Sequence, residues 1–303
     1  APASTRSSSR AAWSGRCCCS SSIARPVRTS SRTGDGGSRR GALRSASARL
    51  RATVAWSPRA DASRAWLRRS LELLGEDIRQ RCGELHVLAG DPESLIPALA
   101  TATGANAVHI SALHEPGADA RDARIASTLA DQGISMRRAG GRLLTDADAV
   151  LTQSATPFRV FTPFHKSARP TWRHRPRDAP ARFNGFAFPS SMAGALAEIA
   201  APRPPWDESF WQTWSPGEAQ AEVRLDEFLQ RVGMYPDARD VPAVEGTSRL
   251  SPHLHFGEIN PSRIFEAAQQ QGGPGTDKFI AELGWREFAY YVLHHWPGST
   301  TGN

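Results

Sequence analysis

Lysine is nearly absent from this 303-residue chain: of its 37 basic side chains, Lys166 and Lys278 are lysine and the rest are arginine. That bias fits a high-GC coding sequence. Cysteine is scarce as well, with three of four residues adjacent at Cys17, Cys18 and Cys19 and the fourth alone at Cys82. A disulfide scaffold is thereby excluded, and a reducing, cytoplasmic setting is expected. No uncharged apolar run approaches the ~18 residues a spanning helix needs, so no membrane association is expected. No cluster of ligating side chains predicts a metal site. A glycine fingerprint for a dinucleotide is missing too, since Gly140-Gly141 alone reads as a turn.

The net charge of +7 divides unevenly. Residues 1–50 carry ten arginines and one acid, Asp35, for a net of +9, which leaves −2 for the remainder. Nucleic-acid binding by the body must therefore rest on local sites and not on its overall charge. The same fifty residues hold thirteen serines and only two leucines, Leu43 and Leu50, without a helical or strand period. Such a segment buries too little surface to offset its ordering entropy and is expected to be a disordered or non-native tail. A transit peptide, a basic arm on nucleic-acid phosphates, and an out-of-frame translation joined to a genuine body all fit this composition.

From residue 51 the texture changes, and 40% apolar content is enough for a sizeable core. Leu67, Leu71, Leu74 and Ile78 form one helical stripe that Asp61 or Ser63 can cap. Leu85–Ala89 reads as a buried strand, and Asp91-Pro92 opens a helix closed by Gly104. Ala107–Leu113 is a second strand, residues 117–132 a helix ended by Gly133, and Ile134–Arg138 a third strand. Alternation of this kind predicts an α/β unit with a doubly wound parallel sheet over 51–170. Residues 157–172 are basic and aromatic, and a Pro-, Arg- and Ala-rich stretch follows, read as an interdomain linker over 171–214. Ser215-Pro216-Gly217-Glu218 then predicts a helix with Ser215 as cap, and 215–303 reads as helical.

Two clusters carry chemistry. Gly246-Thr247-Ser248-Arg249-Leu250-Ser251-Pro252 sets three hydroxyls and a guanidinium before a helix start, a composition suited to phosphate as well as to an ordinary cap. Phe279, Glu282, Trp285 and Arg286 fall at helical offsets on one stripe, mixing an aromatic edge, a carboxylate, an indole and a guanidinium. An exposed Glu282–Arg286 pair is the plainer reading of that stripe.

Together, TSRLSPHLHFGEINP and ELGWREFAYY resemble the flavin-binding helical domain of the DNA photolyase and cryptochrome family. Tyr235 with Arg239-Asp240 is similar to that family's Y-x-x-x-R-D segment, and PFRVFTPF to the stretch closing its α/β antenna domain. The resemblance implies an α/β antenna domain followed by an all-α FAD-binding domain, and is nearest to a bacterial deoxyribodipyrimidine (CPD) photolyase. It implies FAD contacts at Tyr235, Thr247, Ser248, Arg249, Leu250, Ser251, Phe279, Glu282 and Arg286, with Phe279 standing where the family usually has tryptophan. It implies UV-damaged DNA as partner, flipped into a pocket where Trp285 stacks on the pyrimidine dimer, Glu282 hydrogen-bonds it and Arg239 meets the DNA backbone. The implied reaction is dimer splitting by an electron from excited reduced FAD. A cryptochrome-type blue-light receptor without repair, or an inactive fragment, is the alternative. A monomer is expected.

The sequence also departs from the family. Nothing in residues 1–50 resembles its opening W-F-R-R-D-L-R strand, so the antenna domain is expected to lack its first strand. Gly117 and Ala118 stand near where some relatives place an acid on a folate, so a folate antenna is unsupported and the second chromophore stays unknown. The chain stops at Asn303 after the first half of the helical domain, and a truncated fragment that does not close a flavin site is the expectation.

Overall fold

A computed structural model describes residues 51–52, 61–114, 117–172, 179–183, 187–195 and 207–300. The expectations for the tail and for much of the linker lie outside the described residues.

The α/β region rests on two parallel strand pairs. Strand β1 (Arg51–Ala52) pairs with β2 (Val87–Leu88) across helix α1 (Asp61–Gln80). The two-residue β1 stands where the sequence resemblance left the first strand missing. Helix α2 (Pro92–Ala102) starts at its cap Asp91, whose carboxylate accepts the Glu93 N–H, with Pro92 at the first turn. Strands β3 (Ala107–Ser111) and β4 (Ser135–Ala139) pair in register from Ala107↔Ser135 to Ser111↔Ala139, connected by helix α3 (Ala118–Asp131). Gly104 and Gly133 follow α2 and α3 with φ of +63° and +71°, the left-handed geometry expected of helix-ending glycines. Ile96, Ala100, Val108, Ile125, Leu129 and Ile134 form a small core between these elements.

The α1 stripe is rotated from the leucine pattern. Trp66 is buried at 3% exposure, while Leu67 and Leu74 are half-buried. Trp66 reaches across to the helical region, stacking on Phe256 and donating its Nε1–H to Glu258 at 3.0 Å. The other Glu258 oxygen lies 2.6 Å from His253 Nδ1, so a buried indole, carboxylate and imidazole join the two regions.

A larger core runs through the rest of the chain, from Leu144 and Phe164 to Phe279, Leu283 and Tyr291. The helices of this part of the chain are α4 (Phe161–Ala168), α5 (Asp207–Thr213), α6 (Glu218–Gln230), α7 (Tyr235–Ala238), α8 (Ser251–Phe256), α9 (Pro261–Gln271) and α10 (Pro274–His295). Helix α6 buries Ala221, Leu225, Phe228 and Leu229, the inner face its periodicity predicts. Its cap is not the expected Ser215: the helix begins at Glu218, and Gly217 is the capping position, with φ of +108° and no side-chain cap. Helix α5 lies within the stretch read as linker.

Candidate active site

Helix α10 carries the site, and its burial decides where the site points. Pro274 opens the helix after Gly273, and Gly275 passes so close to the Val232 carbonyl that a Cβ there would collide with it. Ile280, Leu283 and Tyr291 are almost fully buried. Two polar groups fix the same side to the segment before α4. Glu287, 1% exposed, accepts the backbone N–H groups of Leu144 and Thr145 at 2.7 and 2.9 Å and the Arg286 guanidinium at 2.9 Å. Burial pushes its carboxyl up, against the pull of Arg286 and of those N–H donors. The Tyr291 hydroxyl donates to the Val150 carbonyl at 2.7 Å and accepts the Phe158 N–H at 3.0 Å.

The opposite side presents Glu282 and Trp285. Glu282 is ion-paired with Arg239, at the end of α7, and lies 3.9 Å from Lys278 one turn earlier. Its hydrogen bond holds the Arg239 guanidinium firmly protonated. Arg239 also lies 5.4 Å from the Tyr235 ring centre, and burial raises the Tyr235 phenol. Trp285 is 49% exposed, an unusual placement for so large an apolar ring. The plain Glu282–Arg286 pair does not form, because Arg286 turns to Glu287 and lies 5.1 Å from the Tyr290 ring centre.

The hydroxyl string lies on the loop between α7 and α8. Gly246 runs against the Ala238 backbone, where a Cβ would clash, and this approach brings the string up to α7. Thr247 and Ser251 are exposed, Ser248 is half-buried, and Leu250 is sunk in the core at 1% exposure. Ser248 Oγ accepts the Leu250 N–H at 3.4 Å. Arg249 adopts φ of +54°, pairs with Glu245 at 2.6 Å and sits 5.9 Å from the Trp214 ring centre. Thr247 and Ser251 thus present exposed hydroxyls on either side of the anchored Leu250, groups able to hydrogen-bond a phosphate.

Arg239 thus stands between Glu282 and Tyr235, and Trp285 lies one turn along α10 from Glu282. Phe279, like Tyr235, lies in the larger core and not on the open side of α10. It is 5% exposed and packs on Phe228 and Tyr235 at 4.6 and 5.6 Å, so four positions at helical offsets divide between core and surface. Sequence reasoning also passed over Glu287, Phe161 and His165. Glu287 stands one residue after a charge of opposite sign with no local mark of burial, and PFRVFTPF was read as a basic-aromatic block and as the close of an antenna domain, without a role for Phe161. Among the described residues no group of side chains is arranged to hold a metal ion, and no helix is long and apolar enough to cross a membrane.

Comparison with known proteins places this architecture. Residues 40–181 match the DNA photolyase family model. The chain is 32% identical to a deoxyribodipyrimidine photo-lyase of Agrobacterium fabrum over 247 residues, covering 79% of this chain and 52% of that protein. An uncharacterised 31.6 kDa protein of Synechococcus sp. PCC 6716 is 35% identical over 240 residues, with 81% of its length covered. Among solved structures, a bacterial class III photolyase from Agrobacterium tumefaciens superposes with a TM-score of 0.65 at 30% identity, covering 78% of this chain and 51% of that one. A Synechocystis cryptochrome shares the fold with a TM-score of 0.62 at 20% identity. The chain belongs to the DNA photolyase and cryptochrome family. It spans about half the length of the photo-lyases it matches.

Proposed function

We propose that the protein acts in light-dependent DNA repair as a deoxyribodipyrimidine photo-lyase, with UV-damaged DNA as partner and FAD as cofactor. The observation that carries this reading is the open side of α10, where a carboxylate, an exposed indole and a guanidinium from α7 stand together. When bound, FAD supplies the light-driven electron that splits the cyclobutane ring. Thr247, Ser248, Arg249 and Ser251 hold its pyrophosphate, with Leu250 and Tyr235 as the wall behind them. Phe279 supports that wall from the core, and Arg286 and Glu282 lie at its edge.

Trp285 offers a flat face to a pyrimidine dimer extruded from the duplex, and stacking is worth about 1–3 kcal/mol per base. A DNA phosphate approaching Arg239 competes for the guanidinium that otherwise holds Glu282. Once released, the Glu282 carboxylate is free to accept a hydrogen bond from an N–H of the dimer. Arg239 thereby links backbone contact to freeing of the carboxylate. We take 51–170 as the antenna domain, 171–214 as linker and 215–303 as belonging to the flavin domain, in a monomeric protein.

The test is repair of a thymine-dimer oligonucleotide in light against dark, with the visible spectrum recording bound flavin. Light-dependent repair, lowered in Glu282→Ala with flavin retained, supports the proposal. Flavin binding without repair favours the cryptochrome-type receptor instead.

A further inference from the structure

The exposed indole of Trp285 has two faces, and one is already taken. The Phe161 ring lies over it with centroids 3.8 Å apart and planes 11° apart, a face-to-face stack. Phe161 opens α4, a helix packed in the larger core, and is itself held on several sides. The His165 imidazole, one turn on, runs nearly parallel to it at 5.2 Å and 18°. Phe288 meets it edge-on at 6.0 Å and meets Trp285 edge-on at 6.1 Å. His165 Nε2 is buried with no hydrogen-bond partner among the described residues, so the imidazole serves here as a ring.

Gly284 makes the stack possible. A Cβ there would lie 2.5 Å from His165 Cδ2 and 3.4 Å from Phe161 Cε2, so any larger residue drives α4 away and lifts Phe161 off its neighbour Trp285. The arrangement is costly unless it is used: a flat indole left 49% exposed gives up burial, yet its orientation is fixed from behind.

We propose that Phe161 is a positioning residue for lesion recognition, the fixed plate that holds the Trp285 indole with one face toward the DNA. The proposal rests on the reading that Trp285 stacks on a pyrimidine dimer. Phe161 touches no DNA itself. It removes the rotational freedom the indole would otherwise lose on binding, so the gain appears as affinity for the dimer.

The test uses the full chain and two readouts. The first labels the tryptophans with 5-fluorotryptophan, and Trp285→Phe identifies the resonance of Trp285 by its disappearance. Phe161→Ala is expected to move that resonance downfield, as the shielding of a face-stacked ring is lost, and Phe161→Tyr to leave it near its original position. A Trp285 resonance unmoved by Phe161→Ala overturns the proposal.

The second readout is affinity for a thymine-dimer oligonucleotide over its undamaged counterpart. Phe161→Ala is expected to weaken it between about two- and tenfold, with rescue by Phe161→Tyr and no further loss in a Trp285→Ala background. Equal losses in both backgrounds would show general damage to the fold and also overturn the proposal. Should Trp285→Ala leave dimer affinity unchanged, the lesion reading fails, and the fluorine resonance still decides whether Phe161 fixes the indole.

Discussion

Along the buried side of α10, Glu287 and Tyr291 are tied to backbone groups of 144–158, and Ile280 and Leu283 on the same side are sunk in the larger core. Along the open side, Glu282 is paired with Arg239 and Lys278 at side-chain exposures of 28%, 23% and 50%, and Trp285 rests on Phe161. The first set has no substitute partner if one is removed, because water does not reach it. The second can exchange partners, because a phosphate or a base competes on nearly equal terms. One helix thus uses its irreplaceable contacts to fix its rotation and leaves its replaceable ones facing outward.

The largest effect is therefore expected on the buried side. Glu287→Ala leaves two buried N–H groups and a guanidinium without their acceptor, a loss of about 3–5 kcal/mol when a buried charge partner goes. Urea denaturation checks this, and a midpoint unchanged from wild type would show the site to be wetter than the geometry indicates. Gly284→Ala comes next, at about 1–3 kcal/mol, because its Cβ meets the His165 ring and α4 must shift. The same variant should loosen Trp285, which its fluorine resonance would report.

On the open side, Arg239→Ala should change stability by no more than about 1 kcal/mol, since the pair is part-exposed. Its expected effect is on DNA affinity, with a shallower salt dependence as one phosphate contact is lost. A large drop in stability with an unchanged salt slope would place Arg239 with the buried set and erase the contrast between the two sides.

The element boundaries were largely legible in the sequence, the contrast between the two sides of α10 much less so, and the causes are identifiable. Helix boundaries followed local rules, as Asp91, Gly104 and Gly133 show, because caps and left-handed glycines act within one turn. Helical offset alone put Glu282 and Trp285 on one stripe, whereas the pairing of Glu282 with Arg239, 43 residues away, had no local signal. Periodicity alone misplaced Phe279, since a helix at the edge of a core turns its side chains inward within a few tens of degrees. Arg286 was expected opposite Glu282 at i,i+4 and instead turns to adjacent Glu287, because a buried carboxylate offers a stronger field than an exposed one. Phe161 and His165 were illegible for a further reason: their partners lie more than a hundred residues along the chain, and only the packing of α4 on α10 brings them together.

The smallest predicted effect is also the one that probes where the two sides of α10 meet. Burial, and then Arg169 on the following turn, lowers the His165 pKa from its ordinary 6.5, so the folded protein binds this proton less readily than the unfolded chain does. Wherever the unfolded state binds more protons, stability rises with pH. Above about pH 6.5 the imidazole is neutral in both states and contributes no pH dependence. Below it, the unfolded chain takes up the proton first, and stability falls until the lowered folded pKa is reached. His165→Phe keeps a ring beside Phe161 and removes the titration. Its thermal midpoint should track the wild type from pH 8 to about 6.5 and then decline less steeply toward pH 5. Parallel declines would show that the imidazole is solvated in the folded state, and that the stack behind Trp285 is open to water from the α4 side.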